Sequence, residues 1–192
     1  HADPARASEK LRRLILDMQD TLTAVERCRK PVIAAIHGAG CGGGAARAPA
    51  RGLRYCPADA RSSVKEIAVG MAADVGPLQR LPRLVGEGIA RELAYTGRVV
   101  DGAEAQAIRL VNRVFDTPEA LAEGVLAIAD AIAAKSPLAI RGVKEMITYA
   151  RDHTVADGLN YVATWNAAML LSRDLQEAGA AAREKRAPEF RD

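Results

Sequence analysis

Short strand-like runs are confined to the first part of this chain, and the sequence after residue 116 has a helical pattern. Val32–Ile36 is an apolar run between a proline and a glycine-rich stretch, which is typical of a short buried strand. Further strand candidates are Leu53–Cys56, a run that includes Val64, and Val111–Phe115. Thr117 and Pro118 then open a long helix. We therefore expect an α/β core over residues 1–116 and an appended helical region over residues 117–192.

Three helical signals lie within the predicted core. Apolar residues recur at helical spacing between Ser8 and Lys30, with charged residues between them. A second helix is expected over Gly88–Tyr95, where Gly97 provides a C-terminal stop signal. Asp101 and Glu104 form a capping-box pattern that opens a third helix. Ser136–Pro137 interrupts the helical region, and the sequence from Leu138 onwards is again helical in pattern.

Composition excludes several classes of partner. The chain has 27 Lys and Arg against 24 Asp and Glu, and the charges are dispersed with only 4% aromatic residues, so nucleic acid is not expected as a partner. No apolar run approaches the roughly 20 residues that a membrane span requires. Cys28, Cys41 and Cys56 form no CxxC pair, and the N-terminus shows no secretory pattern. These features indicate reduced thiols and a cytoplasmic location.

Two isolated carboxylates are the strongest chemical signal. Glu66 and Asp74 stand among small apolar residues, where desolvation raises the pKa of a carboxyl group towards the range useful for proton transfer. Upstream, the glycine-rich stretch from Gly38 to Gly44 could expose backbone N–H donors. Acids together with N–H donors favour a site that moves protons beside a carbonyl group.

Structural roles for the same residues remain open. Glu66 could be a surface carboxylate paired with Lys65, and Asp74 could cap a turn before Gly76. We interpret His37, which stands beside a glycine, as a residue with a structural role. The histidines form no ligand cluster in the sequence, so no metal is expected. The C-terminal region carries a large apolar surface that either packs on its own core or forms a subunit interface.

Several ordered stretches of the sequence resemble the crotonase (enoyl-CoA hydratase/isomerase) superfamily. They are Lys30–Gly38 with Gly42–Gly44, Leu53–Cys56, Leu78–Pro82, Glu92–Arg98 and Ala107–Phe115. The segment Val64–Glu66 followed by Ala72–Gly76 resembles the branch that isomerises 3,5-dienoyl-CoA to 2,4-dienoyl-CoA in fatty-acid β-oxidation. Ordinary hydratases have glycine where Asp74 stands.

The resemblance implies a fold, an activity and an assembly. The fold would be a crotonase-like ββα spiral core, incomplete at its N-terminus, followed by C-terminal helices that form trimers or hexamers. Glu66 and Asp74 would shuttle a proton across the conjugated acyl-CoA, while the Gly43 N–H would hold the thioester oxyanion. Gly38 and Gly42 would belong to the substrate-binding loop. Coenzyme A is part of the substrate, and no other cofactor is implied.

Two alternatives follow from the same resemblance. A Δ3,Δ2-enoyl-CoA isomerase or a hydratase-like enzyme is the first, since an enoyl-CoA isomerase needs only the acid that matches Glu66. A catalytically degenerate crotonase-fold protein is the second. Its motivation is Ala46, which stands where dienoyl isomerases carry an aspartate and hydratases a glutamate.

Overall fold

A computed structural model of the chain describes residues 3–41, 50 and 52–192. Its α-helices are α1 (Pro4–Arg27), α2 (Pro77–Val85), α3 (Glu87–Thr96), α4 (Gly102–Ala107), α5 (Pro118–Ala133), α6 (Pro137–Tyr149), α7 (Val155–Met169) and α8 (Arg173–Glu184). A short 3₁₀ helix spans Glu66–Val69. Its strands are β1 (Ile33–Ala35), β2 (Ala39–Cys41), β3 (Leu53–Pro57), β4 (Arg61–Ser63), β5 (Val100–Asp101) and β6 (Arg113–Phe115).

The chain forms two compact units. The first takes in His1–Cys28 and Val32–Val125, and the second takes in Arg29–Pro31 and Leu126–Asp192. The units therefore divide within α5, whereas the boundary expected between residues 116 and 117 lies just before that helix and stays a prediction.

Two small sheets form the framework of the first unit. One has the order β1-β3-β6 and is parallel throughout, with Ala34 opposite Arg54 and Cys56 opposite Val114. The other has the order β2-β4-β5, in which β2 runs parallel to β4 and β5 runs antiparallel to it. Parallel neighbours need long crossover connections, and the connection from β3 to β6 carries α2, α3 and α4.

The core of the first unit lies between the strands and α2 and α3. Its buried members include Cys56, Val64, Leu81, Leu93, Val100 and Leu110. Arg54 is also buried, and its Nε donates a 2.7 Å hydrogen bond to the carbonyl of Leu110. The backbone N–H of Arg54 donates to Asn112 Oδ1 at 2.8 Å. These bonds tie the turn before β6 to the central strand of the parallel sheet.

The second unit is helical. Ser136 accepts a hydrogen bond from the backbone of Ala139 as the N-cap of α6, and Thr154 with Asp157 forms a capping box at the start of α7. Helices α6 and α7 pack closely because Gly142 has no side chain, since a Cβ there would lie 2.6 Å from Trp165 Nε1.

The element boundaries differ from the sequence expectations for local reasons. Helix α1 begins at Pro4 because Asp3 caps it, accepting a 2.9 Å hydrogen bond from the backbone of Ala5, and it ends at Arg27. The strand expected near Val64 is β4, which ends at Ser63. Strand β6 is shorter than the expected run, since the residues before Arg113 form the turn that bonds to β3.

Candidate active site

Glu66 is the first residue of the 3₁₀ helix that follows β4. Gly70, in the left-handed conformation at φ +76°, ends this helix and donates its N–H to the carbonyls of Glu66 and Ile67. The Glu66 side chain is half-buried, and its Oε2 is buried without a hydrogen-bond partner among the residues that the structure describes. Buried polar atoms are normally paired, so this oxygen calls for a hydrogen-bond partner that the described residues do not supply.

The segment that carries Glu66 is braced by the turn after α3. Ser63 Oγ donates a 2.7 Å hydrogen bond to the carbonyl of Gly97. Gly97 has φ +60°, and a Cβ there would lie 3.1 Å from Ile67 Cγ2 and 3.4 Å from the Val64 carbonyl. The glycine therefore permits both a left-handed turn and a close approach to the 3₁₀ helix.

Asp74 lies eight residues further along, on the same connection between β4 and α2. Its side chain is half-buried, and its backbone carbonyl accepts a 2.6 Å hydrogen bond from Gln19 Nε2. Gly76 follows at φ +101° as the N-cap of α2, and Pro77 opens that helix. A capping role for Asp74 before Gly76 was the structural alternative, but the N-cap residue of α2 is the glycine itself, without a side-chain capping bond.

The glycine-rich stretch begins beside the Glu66 connection. Gly38 is exposed at φ +71° after β1, and its carbonyl accepts a hydrogen bond from the N–H of Arg61 at 3.5 Å. Strands β2 and β4 are parallel, with Cys41 opposite Ser63, so their C-terminal ends lie at one edge of the sheet. The chain runs from the end of β4 into Glu66. Parallel-strand ends of this kind are where α/β folds gather their functional residues.

The remaining predicted residues of this loop lie outside the described part of the chain. They are Gly42 and Gly43, together with Ala46. The roles expected for them stay predictions.

Apolar side chains are exposed between the two carboxylates. The exposed fractions are 47% for Ile67, 75% for Val69 and 44% for Met71. Three exposed apolar residues on one short connection provide a surface that suits an apolar chain rather than a charged ligand.

Residues of α1 that contact the Asp74 loop were not found from the sequence. Gln19 and Glu26 lie more than 50 residues before their partners, Asp74 and Arg80. No local motif marks such contacts.

The described residues do not gather a metal site. No three His, Cys, Asp or Glu side chains group together within residues 3–41, 50 and 52–192, and His37 is exposed. Every helix in that part of the chain is too short or too polar to cross a bilayer. The expectation that no cofactor is needed stays a prediction.

Comparison with known proteins identifies the family of the chain. A family model described as enoyl-CoA hydratase/isomerase matches residues 5–192. The chain is 51% identical to the peroxisomal Δ3,5-Δ2,4-dienoyl-CoA isomerase of Arabidopsis thaliana over 98% of its own length and 68% of that protein's. It is 46% identical to the mitochondrial Δ3,5-Δ2,4-dienoyl-CoA isomerase of Homo sapiens over 96% of its own length and 56% of that protein's. The chain thus spans between half and about two thirds of these relatives.

Solved structures share the fold. An enoyl-CoA hydratase from Bacillus anthracis superposes with a TM-score of 0.90 at 34% identity, covering 95% of this chain and 70% of that one. An enoyl-CoA hydratase from Mycobacterium smegmatis gives a TM-score of 0.89 at 30% identity, covering 99% of this chain and 72% of that one.

The expected cytoplasmic location is wrong. The relatives above are named as peroxisomal and mitochondrial proteins. The expectation was based on the cysteine pattern, which indicated reduced thiols. In the structure Cys56 is a free cysteine and is buried. Reduced thiols are compatible with the interior of such organelles, so the cysteines could not separate these compartments from the cytoplasm.

Proposed function

This chain belongs to the enoyl-CoA hydratase/isomerase family, and we propose that it acts as a Δ3,5-Δ2,4-dienoyl-CoA isomerase. The crotonase-like α/β fold expected from the sequence is confirmed by the structural likenesses. The observation that carries the proposed activity is the placement of Glu66 and Asp74 on one connection, with Glu66 Oε2 buried and unpartnered among the described residues.

The reaction requires two proton transfers at separated carbons. Converting a 3,5-diene into a 2,4-diene moves both double bonds one carbon towards the thioester, so C2 loses a proton and C6 gains one. A single acid is poorly placed to take the proton from C2 and to deliver one to C6. Two acids spaced along the acyl chain can each carry out one of these transfers. Glu66 and Asp74 supply these two groups in the proposal. General acid–base help of this kind contributes about 10²–10⁴-fold in rate.

Charge that develops on the thioester oxygen needs hydrogen-bond donors. In the proposal, the N–H of Gly43 is one such donor, and Gly38 and Gly42 belong to the same substrate-binding loop. The support is positional, since β2 ends beside β4 and the loop sequence follows β2 directly. An oxyanion donor is typically worth about 3–4 kcal/mol of transition-state stabilisation.

The apolar residues between the two acids would contact the acyl chain. Ile67, Val69 and Met71 are exposed and lie between the two proton-transfer groups in the chain. An acyl segment that must pass both acids needs apolar contacts of this kind.

The proposal is tested by following 2,4-dienoyl-CoA formation by ultraviolet absorbance. The complete gene product is incubated with 3,5-dienoyl-CoA, and the Glu66→Gln and Asp74→Asn variants are compared with it. The exposed acids Glu119 and Asp116 provide matched controls, as Glu119→Gln and Asp116→Asn. We expect losses of about 10²-fold or more in kcat for the two site variants and none for the controls. Full activity in both site variants would contradict the two-acid proposal.

A Δ3,Δ2-enoyl-CoA isomerase is the second candidate. The specific observation in its favour is that the unpartnered buried oxygen belongs to Glu66 alone of the two acids. Conversion of 3-enoyl-CoA that requires Glu66 and ignores Asp74, together with no turnover of 3,5-dienoyl-CoA, would establish this candidate. Absence of turnover of either substrate would favour the degenerate protein instead.

We further propose that the second unit mediates homo-oligomer formation. Its exposed large apolar residues include Val143, Ile147, Val155, Leu159 and Leu171, of which Leu171 is 87% exposed. Burial of such residues is the usual driving force of subunit association. Light scattering should show a trimer or hexamer for the wild type and smaller species for Val155→Asp with Leu171→Asp. A monomeric wild type would contradict the proposal.

A further inference from the structure

One face of α1 contacts the segment that carries Asp74. Gln19, Thr23 and Glu26 are spaced by four and three residues, which places them on the same side of the helix. All three side chains are half-buried, whereas no residue of α1 is fully buried. This face therefore meets a neighbour through polar contacts.

The first contact holds the backbone of Asp74 itself. Gln19 Nε2 donates a 2.6 Å hydrogen bond to the Asp74 carbonyl. The bond joins helix α1 to a residue of the loop between the 3₁₀ helix and α2. Fixing this carbonyl restricts the position of the Asp74 Cα and so of the carboxylate that it carries.

The second contact holds the turn two residues later. Arg80 Nη1 donates to the Gly76 carbonyl at 3.4 Å, and Arg80 Nη2 donates to Glu26 Oε2 at 3.0 Å and to Thr23 Oγ1 at 3.4 Å. The side chains of Arg80 and Glu26 are only 18% and 17% exposed. Solvent screening is weaker for such a pair than for a surface pair, and the guanidinium geometry is directional.

Glycine is required where this contact forms. A Cβ at Gly76 would lie 2.0 Å from Arg80 Nη1, and Gly76 itself has φ +101°. The turn and the guanidinium therefore fit together only without a side chain at this position.

From these contacts we infer that Gln19 and the Glu26–Arg80 ion pair are positioning residues that set the Asp74 carboxylate for proton transfer. The inference rests on the proposed isomerase function, in which Asp74 exchanges a proton with the substrate. Proton transfer tolerates little misplacement, and an error of about 1 Å costs roughly 10²-fold in rate. A loop alone holds such a group less well than a helix or strand does, and α1 supplies the missing rigidity.

The inference is tested with variants that replace the hydrogen-bonding side chain by the unbranched, apolar side chain of methionine. Gln19→Met removes the donor to Asp74, and Arg80→Met removes the link from Gly76 to Glu26. Gln79→Met and Arg91→Met are the matched controls, since both residues are exposed. We expect kcat for 3,5-dienoyl-CoA to fall about 10–100-fold in the first pair, with KM within about twofold. The melting temperature should change little in Gln19→Met, whereas Arg80→Met should lower it because the half-buried Glu26 carboxylate loses its cation. The controls should retain wild-type kcat.

A second arm separates positioning from a general structural role. Gln19→Met is combined with Asp74→Asn, and the two effects are compared in a double-mutant cycle. If Gln19 acts through Asp74, it has little further effect once the carboxylate is gone. An undiminished loss in that background would overturn the inference, as would wild-type kcat in Gln19→Met. A loss in Gln19→Met in which KM and the melting temperature change together with kcat would overturn it as well.

The two proposals fail in different ways. A wild-type protein without activity on 3,5-dienoyl-CoA contradicts the proposed function, and the positioning role falls with it. An active wild type that loses activity in Asp74→Asn but not in Gln19→Met contradicts the positioning role alone.

Discussion

The hydroxyl of Ser63 hydrogen-bonds to the backbone carbonyl of Gly97 at 2.7 Å and so joins the end of β4 to the turn that closes α3. The 3₁₀ helix that begins at Glu66 follows β4 after two residues. The position of the first carboxylate therefore depends on a turn that lies about 30 residues further along the chain.

Gly97→Ala should destabilise the protein and disturb Glu66. Alanine at φ +60° is strained, and its Cβ would press on Ile67. We expect a loss of about 1–3 kcal/mol in the free energy of unfolding, measured by urea denaturation, and reduced isomerase activity. Gly88→Ala is the control, because Gly88 lies exposed in α3 with open space around it. That variant should be neutral or more stable by up to about 1 kcal/mol. Equal stability of the two variants would show that the Gly97 turn is not constrained.

Arg54→Met should destabilise the first unit by removing a buried hydrogen bond. Without the guanidinium, the Leu110 carbonyl loses its 2.7 Å donor within the core. An unsatisfied buried carbonyl costs about 1–3 kcal/mol, which urea denaturation can measure. Arg91→Met removes an arginine that is exposed and paired with Glu87, and its effect should stay within about 0.5 kcal/mol. Indistinguishable unfolding midpoints for the two variants would contradict this account of Arg54.

Cys28 and Cys56 should differ in reactivity. Cys28 is exposed, whereas burial, and secondarily the nearby Asp59, raises the pKa of the Cys56 thiol. Because the thiolate is the reactive form, Cys56 should resist alkylation in the native protein. Mass spectrometry after brief iodoacetamide treatment should show label on Cys28 and little on Cys56, and both should react in urea. Equal native labelling would place Cys56 in contact with solvent.

Glu177 should titrate at unusually low pH. Its hydrogen bonds from Arg186, and then from the backbone of Glu189, lower its pKa from 4.5 to about 2. The folded-state pKa is depressed, so the contact stabilises the fold above about pH 4.5 and is lost as the pH falls towards 2. Carboxyl NMR should show the Glu177 pKa rising towards 4.5 in Arg186→Met. Lys135→Met, in the same helical unit, should leave it unchanged. A wild-type pKa near 4.5 would contradict the observed contact.

Local signals in the sequence predicted local structure well. Gly97 closes α3 in the left-handed conformation, as its position after the helical pattern indicated. Asp101 accepts a 2.8 Å hydrogen bond from the N–H of Glu104, as the capping pattern indicated. Such signals work because a cap depends only on residues within one turn. The acids Glu66 and Asp74 stood out because they interrupt an apolar stretch.

Contacts between distant segments could not be predicted in the same way. Nothing near Gln19 indicates that it bonds to Asp74, 55 residues later. Arg54 lies in a strand-like run of the sequence. In the structure it is buried, and its side chain donates a hydrogen bond to the carbonyl of Leu110, 56 residues later. Such pairs depend on how helices and strands pack in space, and a single sequence carries that information only through its family resemblance.

The proposed two-acid proton transfer is tested most directly by the position of solvent deuterium in the product. The complete gene product converts 3,5-dienoyl-CoA in D₂O, and the product is examined by NMR. Glu66 and Asp74 acting as separate acids predict a 2,4-dienoyl-CoA with one deuterium at C6 and none at C4. Deuterium at C4 in a 2,5-dienoyl product, or a 2,4-dienoyl product without label at C6, would contradict the two-acid mechanism.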